Sequence, residues 1–252
     1  MNWKDRARAA GIHLLISLSL AALTALLVFE LWYPYPYRTL SGGRDLFGLV
    51  VGIDVLLGPF LTFSVFNRKK PRGELIRDLS VIGLLQLAAL CYGLWTVCAA
   101  RPVHMVFEFD RFRVVHAIEI DPKLLQSAPP ALRHLPLTGP TLLAVRDFKN
   151  QKEKFDATMA ALSGVSLSSR PDFWQAYDTA ARARALAAAK PVPALLQRHP
   201  EQAPALAALS QQAGSPVADL RYLPAQDRST VWTAILQPKT GDIIGYLPLD
   251  SF

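Results

Sequence analysis

The fold is decided by the first apolar run of the chain, residues 11–31, which read GIHLLISLSLAALTALLVFEL. This run has no charged side chain before Glu30. A helix of this length spans roughly 30 Å, which is the thickness of the hydrocarbon core of a bilayer. A cleaved signal peptide would have a shorter apolar region of about 7–15 residues that ends in small residues, whereas this run ends in Leu31-Trp32-Tyr33. The pattern therefore favours an uncleaved signal anchor over a cleaved signal peptide.

Two further apolar runs follow, over about residues 46–66 and 79–100. Both are long enough to cross a membrane. Residues 1–100 carry only 10 of the 27 basic and 6 of the 20 acidic side chains of the 252-residue chain, mostly between the apolar runs. The sequence therefore predicts a three-helix transmembrane bundle over residues 1–100. Residues 101–252 are numerous enough for one further domain with its own core.

Basic residues flanking the apolar runs predict the orientation, because cytoplasmic flanks are enriched in Lys and Arg. The N-terminal tail has three, the first loop two and the second loop five: Lys4, Arg6 and Arg8; Arg38 and Arg44; Arg68, Lys69, Lys70, Arg72 and Arg77. The N-terminus and second loop are thus predicted to be cytoplasmic and residues 101–252 extracytoplasmic. The first loop also has the aromatic residues of an interfacial belt, Trp32, Tyr33, Tyr35 and Tyr37. The net charge of +7 forms no basic stripe, so we expect no nucleic-acid partner.

An α+β domain is predicted for residues 101–252, because strand patterns precede and follow helical ones. The predicted strands are 104–110, 113–120, 141–145, 220–223, 231–236 and 243–247, and the first two form a hairpin. The predicted helices are 149–162, 171–189 and 201–212. In the first helix, Phe155, Met159 and Leu162 recur at helical spacing. Two proline-rich pieces, 127–140 and 191–204, are interpreted as connections.

Candidate chemistry is sparse in this sequence. It has no nucleotide-binding, zinc-protease, serine-hydrolase or paired CxxC motif, so we expect no catalytic residue, cofactor or metal. His104 and His116 could meet across the hairpin, but a packed pair is favoured over a metal site. The acids flanking the hairpin are interpreted as a solvated sheet edge that resists strand pairing: Glu108, Asp110, Glu119 and Asp121. Cys91 and Cys98 lie about 10 Å apart along the third span, too far for a disulfide.

Asp54 is the residue that requires an explanation, since a carboxylate in a span costs at least ~2.5 kcal/mol. Pro59 leaves the carbonyl of Val55 without its helical donor. Counting from the cytoplasmic ends of the apolar runs places the hydroxyls of Tyr92 and Thr24 at the depth of Asp54. The same count places Gln86 roughly 8–10 Å lower. One interpretation is therefore an internal polar network of Asp54, Tyr92 and Thr24.

The alternative is that Asp54 serves an external partner, as polar residues inside spans often mark function. Gly48 and Gly52 form a small-xxx-small step on the same helix, suited to close approach by a neighbouring helix. Gly58 and Pro59 follow Asp54 within five residues. We therefore consider Asp54, Gly48, Gly52, Gly58 and Pro59 as candidate partner-binding residues.

Part of the sequence resembles the type IV pilin accessory proteins, the TfpX/TfpZ family. The similarity begins with Gly52-Ile53-Asp54-Val55-Leu56-Leu57-Gly58-Pro59, Leu61-Thr62 and Phe66-Asn67. It continues through Lys70-Pro71, Arg77-Asp78-Leu79, Gln86, Tyr92-Gly93, Ala100-Arg101-Pro102-Val103, Phe107 and Asp110-Arg111-Phe112. The resemblance is dense over residues 1–115 and thin beyond them, where it includes Asp242-Ile243-Ile244-Gly245.

The resemblance implies a multi-pass protein of the bacterial inner membrane with a periplasmic C-terminal domain. It implies a non-enzymatic, chaperone-like factor that promotes pilin stability and pilus assembly. The implied partners are membrane lipids and a type IV pilin, which presents an N-terminal transmembrane helix with a processed amine. A membrane-bound enzyme that modifies pilin or envelope glycans is the alternative. An envelope sensor is disfavoured, since cytoplasmic parts of roughly ten residues are too short for an output domain.

The orientation is tested by alkaline phosphatase fusions, because this enzyme is active only outside the cytoplasm. A fusion after Ala100 should be active, and a fusion within residues 68–77 should be inactive. Phosphatase activity of colonies, normalised to the amount of each fusion protein, provides the measurement. The reverse pattern would overturn the predicted orientation.

Overall fold

The computed structural model describes residues 3–252 of the chain. Two compact units are present, Met1–Arg101 and Pro102–Phe252. The first contains three helices long and apolar enough to cross a membrane, and the second contains a mixed β-sheet with helices. The predicted fold class, a helical transmembrane bundle followed by an α+β domain, is therefore confirmed.

The membrane unit consists of three long helices and one short one. The first span combines α1 (Trp3–Leu26) with a π-helix (Leu27–Trp32), and α2 (Tyr37–Leu40) lies in the following loop. The other spans are α3 (Gly43–Val65) and α4 (Arg72–Ala99). Asp5 pairs with Arg68 at 3.4 Å, so the start of α1 and the second loop lie at the same end of the bundle.

Tyr33 fixes the other end of the bundle. Its side chain is fully buried, and its hydroxyl donates a hydrogen bond of 3.2 Å to the carbonyl of Val97 in α4. Gly43 permits this packing, because a Cβ atom there would lie only 2.6 Å from the Tyr33 ring. Tyr37 is also buried. Tyr33 thus belongs to the interior of the bundle, where it packs with Val28 and Val97.

The C-terminal unit begins directly with the sheet. Its strands are β1 (Pro102–Glu108), β2 (Arg111–His116), β3 (Thr141–Val145), β4 (Trp174–Ala176), β5 (Lys190–Pro191), β6 (Arg221–Gln226), β7 (Val231–Leu236) and β8 (Ile243–Leu247). Its helices are α5 (Pro122–Leu125), α6 (Gln151–Leu162), α7 (Thr179–Ala188), α8 (Val192–Arg198) and α9 (Ala203–Ala213).

The predicted hairpin lies at the centre of the sheet. The strand order is β4-β3-β1-β2-β6-β7-β8, and β5 pairs with β6. The interpretation of the hairpin acids as a solvated sheet edge is therefore wrong, because both strands have neighbours. Three of these acids have local roles instead: Asp110 pairs with Arg111, Glu119 with Arg228, and Asp121 caps α5. Glu108 lies in β1 opposite Arg111.

The predicted helix over residues 171–189 is also corrected. Its first part is a 3₁₀ turn (Pro171–Phe173) followed by β4, which pairs with β3. The helix α7 starts only after Asp178, whose carboxylate accepts a hydrogen bond from the Ala181 amide. This N-cap satisfies a backbone amide of the first turn and defines the start of the helix. Another helix, α8, lies in the proline-rich piece that was interpreted as a connection.

Helix α6 presents its large apolar side chains to solvent. Phe155, Met159 and Leu162 are all exposed. The inward positions are small or paired: Ala157 is buried in the core, and Glu153 forms a 2.7 Å ion pair with Arg146. The helical spacing therefore predicts the element correctly, but the apolar stripe covers no part of the domain core.

His104 is buried beside the start of the sheet. Its Nδ1 lies 2.7 Å from the Thr141 hydroxyl, and its ring packs edge-to-face on Trp174 at 4.5 Å. Burial lowers the pKa of His104 to about 4 from its usual 6.5. His116 does not meet it, because His116 lies opposite Pro102 and its Nε2 is 3.5 Å from Asp227.

Acid should destabilise the C-terminal domain partly through His104. Between pH 6.5 and about 4 the unfolded chain protonates this imidazole while the folded chain does not, so stability falls as the pH falls through that window. The effect of one such group is roughly 3 kcal/mol. Thermal unfolding of the detergent-solubilised chain from pH 7 to 4 measures it. His104→Gln should show a shallower decline than the parent, and identical slopes would contradict the assignment.

Candidate functional site

Asp54 of α3 is paired with Gln86 of α4. The Gln86 side-chain amide donates to the backbone carbonyl of Asp54 at 2.9 Å and to its Oδ1 at 3.3 Å. The second distance is long for an N–H···O hydrogen bond, whose usual value is about 2.9–3.0 Å. The Oε1 atom of Gln86 is buried without a hydrogen-bond partner. The pair therefore has more acceptors than donors.

The predicted depth of Gln86 is wrong because α4 starts earlier than its apolar run. The helix begins at Arg72, seven residues before residue 79, which corresponds to roughly 10 Å of helix. This shift raises Gln86 to the depth of Asp54. The polar segment 72–78 remains helical, with Lys70 bridging to Asp78 at 2.7 Å and to Glu74 at 3.5 Å.

The predicted network of Asp54 with Thr24 and Tyr92 is not formed among residues 3–252, where both side chains have other contacts. The Thr24 hydroxyl donates to the carbonyls of Leu20 and Ala21 at 3.0 Å, since a helical threonine can satisfy its hydroxyl within its own helix. Tyr92 is exposed, and its ring lies 5.9 Å from that of Trp95. Within residues 3–252, neither hydroxyl forms a hydrogen bond with Asp54.

Asp54 lines a cavity of about 320 Å³ between α3 and α4. The remaining walls are almost entirely apolar: Leu46, Leu49, Val50, Ile53, Ala89, Leu90, Tyr92, Gly93, Thr96 and Val97. The two helices approach closely at one point, where a Cβ on Gly93 would lie 2.5 Å from Val50. A carboxylate in an apolar cavity on a membrane helix is an arrangement that can attract a cationic group of a neighbouring helix.

The candidate glycines of α3 fall into two groups. Gly58 is packed against the pair, because a Cβ there would overlap the Gln86 side chain. Pro59 follows it inside the helix. Gly48 and Gly52 have open space at their Cβ positions and do not line the cavity. Since helical residues are 100° apart, Gly52 and Asp54 project roughly 160° from each other, so the small-xxx-small step and the acid lie on different sides of α3.

A second polar contact inside the membrane unit joins His13 of α1 to Thr62 of α3 through Nδ1 and Oγ1. The sequence prediction missed this contact, although a histidine and a threonine within apolar runs are the signal that identifies it. The contact and the Asp54–Gln86 pair connect α3 to both other spans. Outside the spans, residues 3–252 contain no group of three or more His, Cys, Asp or Glu side chains placed to hold a metal ion.

Known proteins match both units of the chain. The chain is 38% identical over 248 residues to the fimbrial assembly protein of serogroup I from Dichelobacter nodosus, covering 98% of this chain and 96% of that protein. It is 36% identical over 248 residues to the serogroup E1 protein of the same organism, with the same coverage. A family model described as fimbrial assembly protein FimB matches residues 1–42. No solved structure matches the chain.

This chain belongs to the fimbrial assembly protein family. The two long matches carry the assignment, because they extend through the membrane unit and the sheet domain alike. A further relative in the family, of serogroups C1 and C2, is 46% identical over 125 residues, which is 50% of this chain and 93% of that protein. The Asp54–Gln86 pair is therefore a feature of the membrane unit of a fimbrial assembly protein.

Substitution at Gly58 tests the packing of the pair. Gly58→Ala should displace the Gln86 amide and destabilise the protein by about 1–3 kcal/mol, the usual range for overpacking. Gly48→Ala is the matched control, since its Cβ would meet open space. The thermal midpoints of the two variants in detergent give the comparison. Equal midpoints would show that Gln86 does not hold this position.

Proposed function

We propose that this fimbrial assembly protein holds the fimbrial subunit in the bacterial inner membrane until the subunit is assembled. The subunit's transmembrane helix docks beside Asp54, at the cavity between α3 and α4. The finer assignment that we favour is a type IV pilin accessory protein of the TfpX/TfpZ kind. Its role is chaperone-like and non-enzymatic, with a cytoplasmic N-terminus and a periplasmic C-terminal domain.

One observation carries this proposal: the Asp54 carboxylate lines an apolar membrane cavity and is only weakly compensated by Gln86. The carboxylate receives one long hydrogen bond of 3.3 Å, and Gln86 Oε1 has no hydrogen-bond partner. A positively charged donor from a neighbouring helix that enters the cavity would pair with the Asp54 carboxylate, which lines it. Opposite charges attract much more strongly in such a low-dielectric setting than in water.

The type IV pilins are a suitable source of that donor. The resemblance given above implies a subunit that lies in the same membrane before assembly and presents a helix with a processed amine. Docking of that amine beside Asp54 would offset the cost of keeping the carboxylate ionised in a span, provided that the geometry is good. The apolar walls of the cavity, such as Leu49 and Ile53, would contact the side chains next to the amine.

The names of the relatives support the same direction. Fimbrial assembly proteins of Dichelobacter nodosus match the chain over nearly its whole length. Three apolar helices place much of this chain in a membrane, which is where a subunit with a transmembrane helix is available for capture. Interaction between helices in lipid depends on close packing and on polar contacts, and the cavity beside Asp54 provides both.

Asp54→Asn is the variant that tests the proposal, because it removes the charge and retains size and hydrogen bonding. We expect the variant to accumulate at the parental level but to lose copurification with the subunit and to reduce piliation. A loss of roughly 10-fold or more in captured subunit would match removal of a buried charge partner. Asp45→Asn is the matched control, since Asp45 is exposed near the start of the same helix.

Two outcomes contradict the proposal. Asp54→Asn could capture the subunit and support piliation as the parent does, which would leave Asp54 a purely structural residue. Alternatively, Asp45→Asn could lose the subunit to the same extent, which would show that charge anywhere on α3 is sufficient. Protein abundance measured on the same membranes separates a loss of binding from a loss of folding.

A further inference from the structure

The loop of the β1–β2 hairpin contains an aromatic residue in a strained backbone conformation. Glu108 pairs with Arg111 across the hairpin, so the loop consists of Phe109 and Asp110. Phe109 has a φ of 56° and is the one non-glycine residue with positive φ among residues 3–252. Two-residue hairpin loops favour glycine or asparagine where φ is positive, because a bulky side chain is strained there. A phenylalanine held in this conformation indicates a role for its ring.

The fold itself gains little from the ring of Phe109. The residue is 61% exposed, and its ring contacts that of Phe148 at a distance of 6.3 Å between the centroids. Phe148 is half-buried and packs edge-to-face on Phe173 in the domain core. The burial of apolar surface that could offset the backbone strain is therefore largely missing at Phe109. A further ring that covered Phe109 would supply it.

Phe109 forms one wall of a pocket of about 190 Å³ at the carboxyl ends of the parallel strands β1 and β3. Phe107 and Phe148 form two further aromatic walls. An apolar cavity of about 150 Å³ is large enough for benzene, so this pocket has room for one aromatic ring with a short substituent. Rings favour edge-to-face or offset contacts with other rings, and the three phenylalanine side chains offer such contacts. Small-molecule sites usually combine walls of this kind with a few polar groups.

Two guanidinium groups line the same pocket, and they differ in how many of their donors are used. Arg146 is held by both carboxylate oxygens of Glu153, at 2.7 and 3.0 Å. Among residues 3–252, Arg184 of α7 donates to the Val145 carbonyl at 3.0 Å and to Asp147 at 2.7 Å, which leaves three of its five donors. The Asp147 side chain is 89% exposed, and an ion pair so open to water is weak. Arg184 therefore retains donors for a further carboxylate.

We propose that this pocket binds an aromatic carboxylate, with the ring among Phe107, Phe109 and Phe148 and the carboxylate on Arg184. The planar guanidinium group can donate two parallel hydrogen bonds to one carboxylate. The bound ring covers Phe109 and so offsets the strain of the hairpin loop. A small aromatic acid and a peptide that ends in an aromatic residue share this chemistry, since both present a ring and a carboxylate a few bonds apart. The pocket does not include Asp54, so the proposal is independent of the proposed docking of the subunit.

Ligand-observed NMR titrations of the detergent-solubilised full chain test the site. The probes are phenylpropanoate, the peptide glycyl-glycyl-phenylalanine and the uncharged amide of each, so that the two acids distinguish a free acid from a chain end. At least one acid should bind more tightly than its amide. Phe109→Ala should weaken acid binding about tenfold, and Arg184→Gln should weaken it about fivefold without changing the binding of the amides. Phe155→Ala and Arg221→Gln are the matched controls, since both residues are exposed and lie outside the pocket.

Phe109→Gly separates binding from folding, because glycine adopts a positive φ without strain. Its thermal midpoint in detergent should equal or exceed that of the parent, while acid binding should fall as it does in Phe109→Ala. Three results would overturn the proposal. Neither acid could bind more tightly than its amide, or Phe109→Ala could bind the acids as the parent does. A thermal midpoint of Phe109→Gly several degrees below the parent would assign the ring to the stability of the domain and not to a ligand.

Discussion

The hydrogen bonds from Gln86 to Asp54 are the interaction on which the membrane unit depends. A carboxylate within an apolar span is unfavourable unless a neighbouring group compensates it, and Gln86 offers a donor at 2.9 Å to the carbonyl and at 3.3 Å to Oδ1 of the same residue. This contact sets the register of α3 against α4. Gly58 must remain small beside it. The compensation is incomplete, because the hydrogen bond to the carboxylate is long, and this carboxylate in an apolar cavity is the basis of the proposed docking of a subunit helix.

The second constraint is the short connection between the last span and the sheet. Only Ala100 and Arg101 separate α4 from β1, and β1 lies in the middle of the sheet between β2 and β3. The strands on both sides therefore assemble on a hairpin that emerges directly from a membrane helix. Helix α6 buries Ala157 in the core of the domain and leaves Phe155, Met159 and Leu162 exposed.

Most of the architecture follows from patterns that depend on one segment at a time. The three apolar runs predict the spans, and the strands 141–145, 231–236 and 243–247 are found at the predicted bounds. Errors arise where the outcome depends on distant neighbours. The first part of the helix predicted from Pro171 is a 3₁₀ turn followed by a strand, because β3 offers that strand a partner. The acids of the first hairpin are not at a sheet edge, since β3 and β6 cover both sides, a pairing that no local pattern reveals.

The sequence predicts the central residue of the candidate site, Asp54, but not its hydrogen-bonding partner, Gln86. Asp54 is identified by charge alone, because a carboxylate in an apolar run is unusual wherever it lies. The depth count favours Tyr92 and Thr24 over Gln86 only if α4 begins with its apolar run. The helix begins about two turns earlier, which brings Gln86 to the depth of Asp54 instead. Helix ends are set by polar residues that hydropathy does not detect, such as Glu74 and Asp78 bridged by Lys70.

Site-specific photocrosslinking in cells tests the proposed docking most directly. A photoreactive residue at position 53 lies in the cavity beside Asp54, whereas one at position 84 lies on an exposed part of α4 outside that cavity. The account predicts that position 53 captures the fimbrial subunit through its transmembrane helix and that position 84 does not. Absence of the subunit from the position 53 product, or equal capture at both positions, would contradict it.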